Sequence, residues 1–344
     1  MDKIILTRPD DWHLHVRSGT ILSMVIAHTA SQFERAIIMP NLKPPVTTVD
    51  KAMMYRDEII AALPSGSTFT PLMTLYLTDT TSTEDVRQVA ESPHVHAFKL
   101  YPAGATTNSD SGVSDLDKIF PILEAMEKQD VPLLVHGEVT QDKYDIFDRE
   151  KLFLEQHLQR ISETFPALRI VVEHVTTEEA VQFVLSANNN IAATITPQHL
   201  MFNRNSILAG GIRPHYYCLP ILKREHHRQA LVQAATSGNP KFFLGTDSAP
   251  HQTHLKENAC GCAGCYSAHA AIELYAEVFE KENALDKLEG FASFHGPDFY
   301  ALPRNTKTIT LVKKEWTIPQ TYQQNNISIT PLQAGKTIDW KLVE

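Results

Sequence analysis

The chain has 344 residues, 43% of them hydrophobic and 21% charged, the make-up of an ordinary globular protein able to bury a sizeable core. Lys and Arg number 31 against 40 Asp and Glu, a net charge of −9 that argues against phosphate-backbone binding; no basic cluster with interleaved aromatics points to nucleic acid. No apolar run approaches the ~20 residues of a membrane helix, and Met1-Asp2-Lys3-Ile4-Ile5-Leu6 lacks a signal-peptide layout, so neither a nucleic-acid nor a membrane partner is expected and a cytoplasmic location is.

Short apolar segments recur at 12–16, 36–39, 68–77, 97–101, 132–137, 170–175, 191–195 and 242–245, each between turn or cap residues. Continuous apolar runs of this length predict parallel strands buried on both faces. Helical signals lie between them. Glu84-Asp85 opens a helix holding Val86 and Val89. Ser114-Asp115-Leu116-Asp117 offers caps and acids before Ile119, Ile122, Leu123 and Met126 at helical spacing. Thr176-Thr177-Glu178-Glu179 caps a run with Ala180, Val181, Val184 and Leu185. Eight alternations predict the α/β class and a (β/α)8 TIM-type barrel over about 10–304. An open doubly wound sheet is the alternative, weakened because no Gly-x-Gly-x-x-Gly follows the first strand. Residues 306–312 alternate Thr, Ile and Val around Lys307, and 320–326 are polar. The segment of about 305–344 is therefore read as a C-terminal appendage packed on the barrel, within a single domain spanning 1–344.

Barrels of this kind carry their active-site residues at the C-terminal ends of the strands. His13 and His15 close the first strand two positions apart, which puts both rings on one side. Alone, such a pair is more often two exposed surface histidines. Lys99 lies within the apolar run 97–101, where an amine is costly unless neutralised or paired. Either that strand is an edge with Lys99 in solvent, or Lys99 takes up CO2 as an anionic carbamate able to bridge two cations. His136 and His174 end the fifth and sixth strands, and Asp247 follows the eighth. A lone strand-end histidine is more often a satisfied core residue, and Asp247 alone could be a turn cap. Together the six groups suit Zn2+, and two metals sharing Lys99 is the economical arrangement. Such a pair generates a hydroxide nucleophile at neutral pH.

Asp-Trp-His-Leu-His-Val-Arg (11–17), Met-Pro-Asn (39–41), Phe-Lys-Leu-Tyr-Pro-Ala-Gly-Ala-Thr-Thr-Asn (98–108), His-Gly-Glu (136–138), Glu-His (173–174) and Gly-Thr-Asp-Ser-Ala-Pro-His (245–251) run in this order through the chain. The combination resembles the amidohydrolase superfamily and, within it, the shorter, bacterial-type dihydroorotase family. That resemblance implies a metal-dependent cyclic-amide hydrolase with a small-molecule substrate. The reaction implied is the reversible interconversion of L-dihydroorotate and N-carbamoyl-L-aspartate in pyrimidine biosynthesis. It also implies two Zn2+ per chain and a homodimer. His13, His15, Lys99 and Asp247 would hold one metal; carboxylated Lys99, His136 and His174 would hold the other. Asp247 would carry the catalytic proton. Arg17, Asn41 and His251 would bind the substrate carboxylate, and the backbone around Leu219 and Ala263 would contact the ring. Thr106 and Thr107 would lie on a mobile loop.

The residues agree with this implication at two further points. Arg17 lies two positions past His15, so a strand or its extension would put it on the same side, where its fork can grip a carboxylate. Residues 104–112 hold Thr, Asn, Ser and Asp with few apolar anchors, a composition that suits a lid. Cys260, Cys262 and Cys265 lie too close together for a distributed disulfide framework and are read as reduced. A glycine-rich active-site loop is the favoured account of them; a structural zinc completed by Cys218 or His254 is the alternative. Two rival functions remain at this stage. One is another cyclic-amide hydrolase, of hydantoinase or allantoinase type. The other is a non-catalytic metal-binding barrel that serves as an assembly partner.

Overall fold

The apolar runs become strands that bury both faces, and their ends set the site. The computed structural model describes residues 2–343; positions 1 and 344, the outer ends of the expected domain, lie outside the described residues. The first strand, β1 (Lys3–Thr7), stands apart from the barrel sheet. Then come β2 (Asp10–Leu14), β3 (Arg35–Ile38), β4 (Thr70–Tyr76), β5 (Val95–Leu100), β6 (Leu133–Val135), β7 (Ile170–Val172), β8 (Ile191–Ile195) and β9 (Phe242–Leu244). These eight form one parallel sheet in sequence order, with helical segments between them. Leu14 bridges Ser248 in parallel, His15 N donates to Ser248 O at 3.1 Å, and Asp247 N donates to His13 O at 2.9 Å. First and last strands thus meet, and the chain is a (β/α)8 barrel.

Side-chain parity sorts the core. Ile37, Leu72, Ala97, Leu134, Val171, Ala192 and Phe243 fill the barrel interior together with Trp12 and Met39. Their strand neighbours, such as Ile38, Phe98, Leu133, Val135, Val172 and Leu244, pack outward in the larger core. The same period of two carries Lys99, two beyond Ala97, and His136, two beyond Leu134, toward the interior. Lys99 is 0% exposed on a central strand, which removes the edge-strand reading. Trp12 stacks on Tyr300 at 4.5 Å. The helix His295–Phe299 reaches Trp12 only because residue 296 is glycine: a Cβ there would lie 1.9 Å from Trp12 Nε1.

Several strands end earlier than the sequence predicts. The run 170–175 yields a strand only to Val172, and 132–137 only to Val135. The residues left over carry the histidines. The first strand also shifts, from 12–16 to Asp10–Leu14. Asp11 pairs with Ala36 and Leu14 with Ile38, three steps on β2 against two on β3. That bulge resets the alternation, so Trp12 and His13 both serve the interior while Leu14 packs outward. Helix starts follow the signals more closely. Ser82 and Asp85 form a capping box on helix Thr83–Glu91, and Thr177 accepts from Ala180 N at the start of Glu178–Ser186.

The C-terminal segment forms β10 (Thr308–Thr317), β11 (Tyr322–Gln324), β12 (Ile327–Ile329) and β13 (Thr337–Val343). β11 and β12 make a hairpin, while β10 lies between β13 and β1, antiparallel to both. Sequence alone assigns residues 3–7 no partner in this segment; the strand pairing ties the two regions together. Trp340, 0% exposed, packs β13 into the main core. Glu273, on the helix Ala271–Lys281, accepts from Leu342 N at 3.1 Å, and burial pushes its carboxyl up from 4.5 to about 7. A raised carboxyl favours the fold while it stays protonated. Its contribution is complete below pH 4.5 and fades as pH rises through 7. Glu273→Gln should therefore be on the order of 3 kcal/mol more stable than the parent at pH 8, and about equal to it at pH 4. Urea unfolding at both pH values checks this; an unchanged difference between them contradicts it.

Candidate metal centre

The site begins with a buried carboxylate that joins the barrel's two ends. Asp11 Oδ1 accepts from His13 N at 3.1 Å and Thr246 N at 2.9 Å, and Oδ2 accepts from Thr246 Oγ1 at 2.5 Å. It holds the backbone of His13 beside the segment that carries Asp247. His13 Nε2 lies 3.3 Å and His15 Nε2 3.1 Å from Asp247 Oδ1, and the two imidazole nitrogens are 3.3 Å apart. Among the described residues, His13, His15 and Asp247 are the group of three buried ligand-type side chains that converges within 4.8 Å. Their exposure is 1%, 7% and 5%, which excludes the surface-histidine reading.

The other histidines stand against this group. The His13 and His174 rings are 4.9 Å apart between centroids, and those of His174 and His136 4.8 Å. The sixth member, Lys99, lies outside the cavity lining, beneath it. Its Nζ has no hydrogen-bond partner and sits 5.1 Å from the centre of the Tyr101 ring. Burial lowers the amine to about 8, against the pull of Glu173 and Asp247. A buried amine without a partner is costly in a core of this quality. His174 Nδ1 and His15 Nδ1 are likewise buried and unpartnered.

Electrostatics separates the histidines. Burial lowers His15 to about 3 and drives His174 well below its usual range, the latter helped by Lys99 and His136. Neutral imidazoles are the form that binds metal. Burial also opposes charge on His13, but the carboxylates of Glu173 and Asp247 outweigh it and hold that ring above its ordinary value. Burial would raise Asp247; the hydrogen bonds from His13 and His15 instead hold it well below the carboxylate range. The donor set fits divalent zinc: nitrogen and carboxylate ligands, an orphaned amine, and neutral rings.

Around this group lies a small cavity lined by His13, His15, His136, His174 and Asp247 with Arg17, Asn41, Thr106, Thr107, Leu219 and Ala263. His251 stands just behind the lining, with Nε2 3.0 Å from Arg17 Nη2 and 3.0 Å from Ala263 O. One nitrogen cannot accept from Arg17 and donate to Ala263 at once, so its tautomer decides which bond forms. Burial, then Arg17 and Lys256, keep this ring neutral, lowered to about 2. Arg17 reaches the cavity by a different route from the one the sequence predicts. It sits past the strand at φ 59, its carbonyl accepting from Tyr55 OH at 2.6 Å. His174 at φ 42 and Asp247 at φ 44 share this left-handed backbone, strain that a non-glycine residue carries at a cost.

The loop 104–112 folds over the cavity. Asn41 Nδ2 donates to Thr107 O at 3.1 Å, Asn108 Nδ2 returns a bond to Asn41 O at 3.0 Å, and Thr107 Oγ1 donates to Ala263 O at 3.3 Å. Gly112 pins its base: a Cβ there would lie 2.3 Å from Tyr101 O.

Comparison with known proteins bears on the assembled site. No family model matches the chain. A protein of Acaryochloris marina called dihydroorotase is 65% identical over 344 residues, covering 100% of both chains. The chain belongs to the dihydroorotase family. A dihydroorotase from Saccharomyces cerevisiae, solved in complex with 5-fluoroorotic acid, is 34% identical, covers 100% of this chain and 99% of its own, and superposes with a TM-score of 0.91. An L-hydantoinase (dihydropyrimidinase) from Arthrobacter aurescens has a TM-score of 0.81 but 13% identity, covering 99% and 83%; it shows the fold alone. As a member of the dihydroorotase family the chain is a cyclic amidohydrolase, and the non-catalytic reading falls away.

Three site-building residues of this dihydroorotase family member are given no role of their own by the sequence. Glu173 Oε2 lies 2.7 Å from His13 Nδ1 and also accepts from Thr194 Oγ1 at 2.6 Å. It orients His13 so that Nε2 faces Asp247. Asp11 reads in the sequence only as part of the run before His13. Lys256 Nζ donates to Tyr217 O, Cys262 O and Gly264 O at 3.1, 2.8 and 2.6 Å, which fixes the loop that presents Ala263. The Glu-His pairing is visible as a motif, but long-range partners such as Thr194 and Tyr217 are set by the fold. All four cysteines are free thiols. Among the described residues no cluster of three or more metal-ligand groups includes them.

Proposed function

We propose that the protein interconverts L-dihydroorotate and N-carbamoyl-L-aspartate at a two-zinc centre. His13, His15 and Asp247 would hold one Zn2+, His136 and His174 the other, and Lys99, as a CO2-derived carbamate, would be shared between them. The observation that carries this reading is the fully buried, unpartnered Lys99 Nζ, which acts electrostatically on His13 and His174 and is itself acted on by Asp247. A carbamate turns that costly amine into a paired anion. When bound, the cations would supply Lewis acidity and a water of lowered pKa.

The chain's own residues do the rest. Arg17, with Asn41 and His251, binds the free carboxylate of the substrate and so fixes which ring carbonyl faces Asp247. The relative solved with 5-fluoroorotic acid was captured with a ring carboxylate of that type. Asp247 Oδ1, the oxygen next to His13 Nε2 and His15 Nε2, would face the first metal, which leaves Oδ2 to accept the proton of the attacking water and deliver it to the departing ring nitrogen. The loop 104–112, held through Thr106 and Thr107, excludes bulk water while the ring amide bond breaks, and the backbone near Leu219 and Ala263 contacts the ring. In the biosynthetic direction the same groups act in reverse.

Arg17→Ala should raise KM for dihydroorotate about 100-fold, since two charge-assisted hydrogen bonds are lost, with a much smaller change in kcat. An unchanged KM removes Arg17 from the substrate site. The reading as a whole is tested by metal content per chain together with ring-opening activity, before and after chelation. Two zinc ions and activity that disappears with them is the expected result; full activity in the metal-free protein overturns it. A parallel assay on hydantoins separates the hydantoinase-type alternative. We further read the chain as one domain and as a cytoplasmic homodimer. The pairing of β1 with β10 supports the first, free thiols at Cys218 and Cys265 the location, and exposed Leu208 and Ile212 the self-association.

A further inference from the structure

We propose that Glu138 is a positioning residue for His136, holding one imidazole nitrogen so that the other faces the second zinc. The inference rests on the two-zinc reading above. Glu138 Oε2 lies 2.8 Å from His136 Nε2, and each residue is 1% exposed. Oε1 is buried with no partner. For stability alone this is a poor use of the position: a carboxyl group is desolvated for a single hydrogen bond, where an apolar side chain would cost nothing. A carboxylate behind a ligand histidine fixes its tautomer, its ring orientation and its basicity.

The pattern is repeated across the site. His13 of the first metal set has Glu173 on its Nδ1, and His136 of the second has Glu138 on its Nε2. His15 and His174 have no such partner, their Nδ1 atoms being buried and free. Each cation thus receives one carboxylate-held imidazole. The setting of Glu138 also differs from that of a packed core acid. It borders a side cavity together with Pro102, Ala103 and Val113, the base of the loop that covers the site. The His136–Glu138 bond is therefore part of the wall between that cavity and the catalytic one. Truncating Glu138 extends a space already present, so loss of the carboxylate can be read without collapse of the surrounding core.

The test titrates the zinc-loaded protein with a chromophoric chelator and follows release of each metal. Glu138→Ala should release one equivalent about 10–100-fold more readily than the parent, with the other unchanged. Glu138→Gln, whose amide oxygen still accepts from Nε2, should recover part of that loss. Release of both equivalents as in the parent overturns the proposal. So does an equal weakening of both in both variants, which marks a merely structural role. A parent protein that holds a single zinc instead overturns the two-zinc reading on which the proposal stands.

Discussion

Asp247→Asn should lower kcat for dihydroorotate ring opening by about 10³-fold, within the range for loss of a positioned general base and acid, while the substrate still binds. Two features set the direction. A carboxylate oxygen can take the proton of the attacking water, and the amide of Asn cannot. The isosteric amide keeps contact with the two imidazoles and fits the same strained backbone at φ 44. Substrate affinity, which on the proposed reading depends on Arg17 and its neighbours, should stay within a few-fold of the parent. Asp247 is also a proposed metal ligand, so zinc content is measured alongside. A variant with two zinc ions and near-normal kcat would remove Asp247 from proton transfer.

Lys99→Gln should be more damaging still, because it removes the group shared by both metals. The amide is too short and too weakly basic to bridge two cations, and the loss is expected to exceed about 10⁴-fold, in line with removal of a residue on which a whole catalytic unit depends. Zinc content should fall below two per chain. The fold should survive: Lys99 Nζ makes no hydrogen bond within the protein, and the strand pairing of Lys99 runs through its backbone, which the substitution leaves in place. Mass spectrometry under non-denaturing conditions should show an adduct of about 44 Da on the parent and none on the variant, the mass of the CO2 taken up. An active Lys99→Gln protein with two metals contradicts the bridge.

The period of the chain was the most legible part. Each buried strand announced itself as an apolar run, and capping residues such as Ser82 and Thr177 marked helix starts with local chemistry alone. The candidate ligands stand out for the same reason: a lysine or histidine inside an apolar run violates the local pattern. Other features were invisible because they join residues far apart. Glu173 meets Thr194, Lys256 meets Tyr217, and β1 meets β10 only after the barrel has closed. Arg17 lines the cavity by another backbone than strand parity predicts: a left-handed turn, not an extended strand, delivers the side chain. The bulge at Asp11–Leu14 similarly replaces the simple alternation that brought His13 and His15 to attention. Irregular backbone of this kind is stabilised by tertiary contacts, and no local sequence signal records it.

The reciprocal bonds between Asn41 and the loop at Thr107–Asn108 couple two events that would otherwise be separate. Asn41 touches both the cavity and the cover, so it engages the loop fully when the cover is shut. A ligand that requires this arrangement binds only the shut fraction of the population, and its apparent dissociation constant is the intrinsic one divided by that fraction. Weakening the clasp would then reduce affinity for every ligand that needs closure, by one common factor, without altering any contact to the ligand itself.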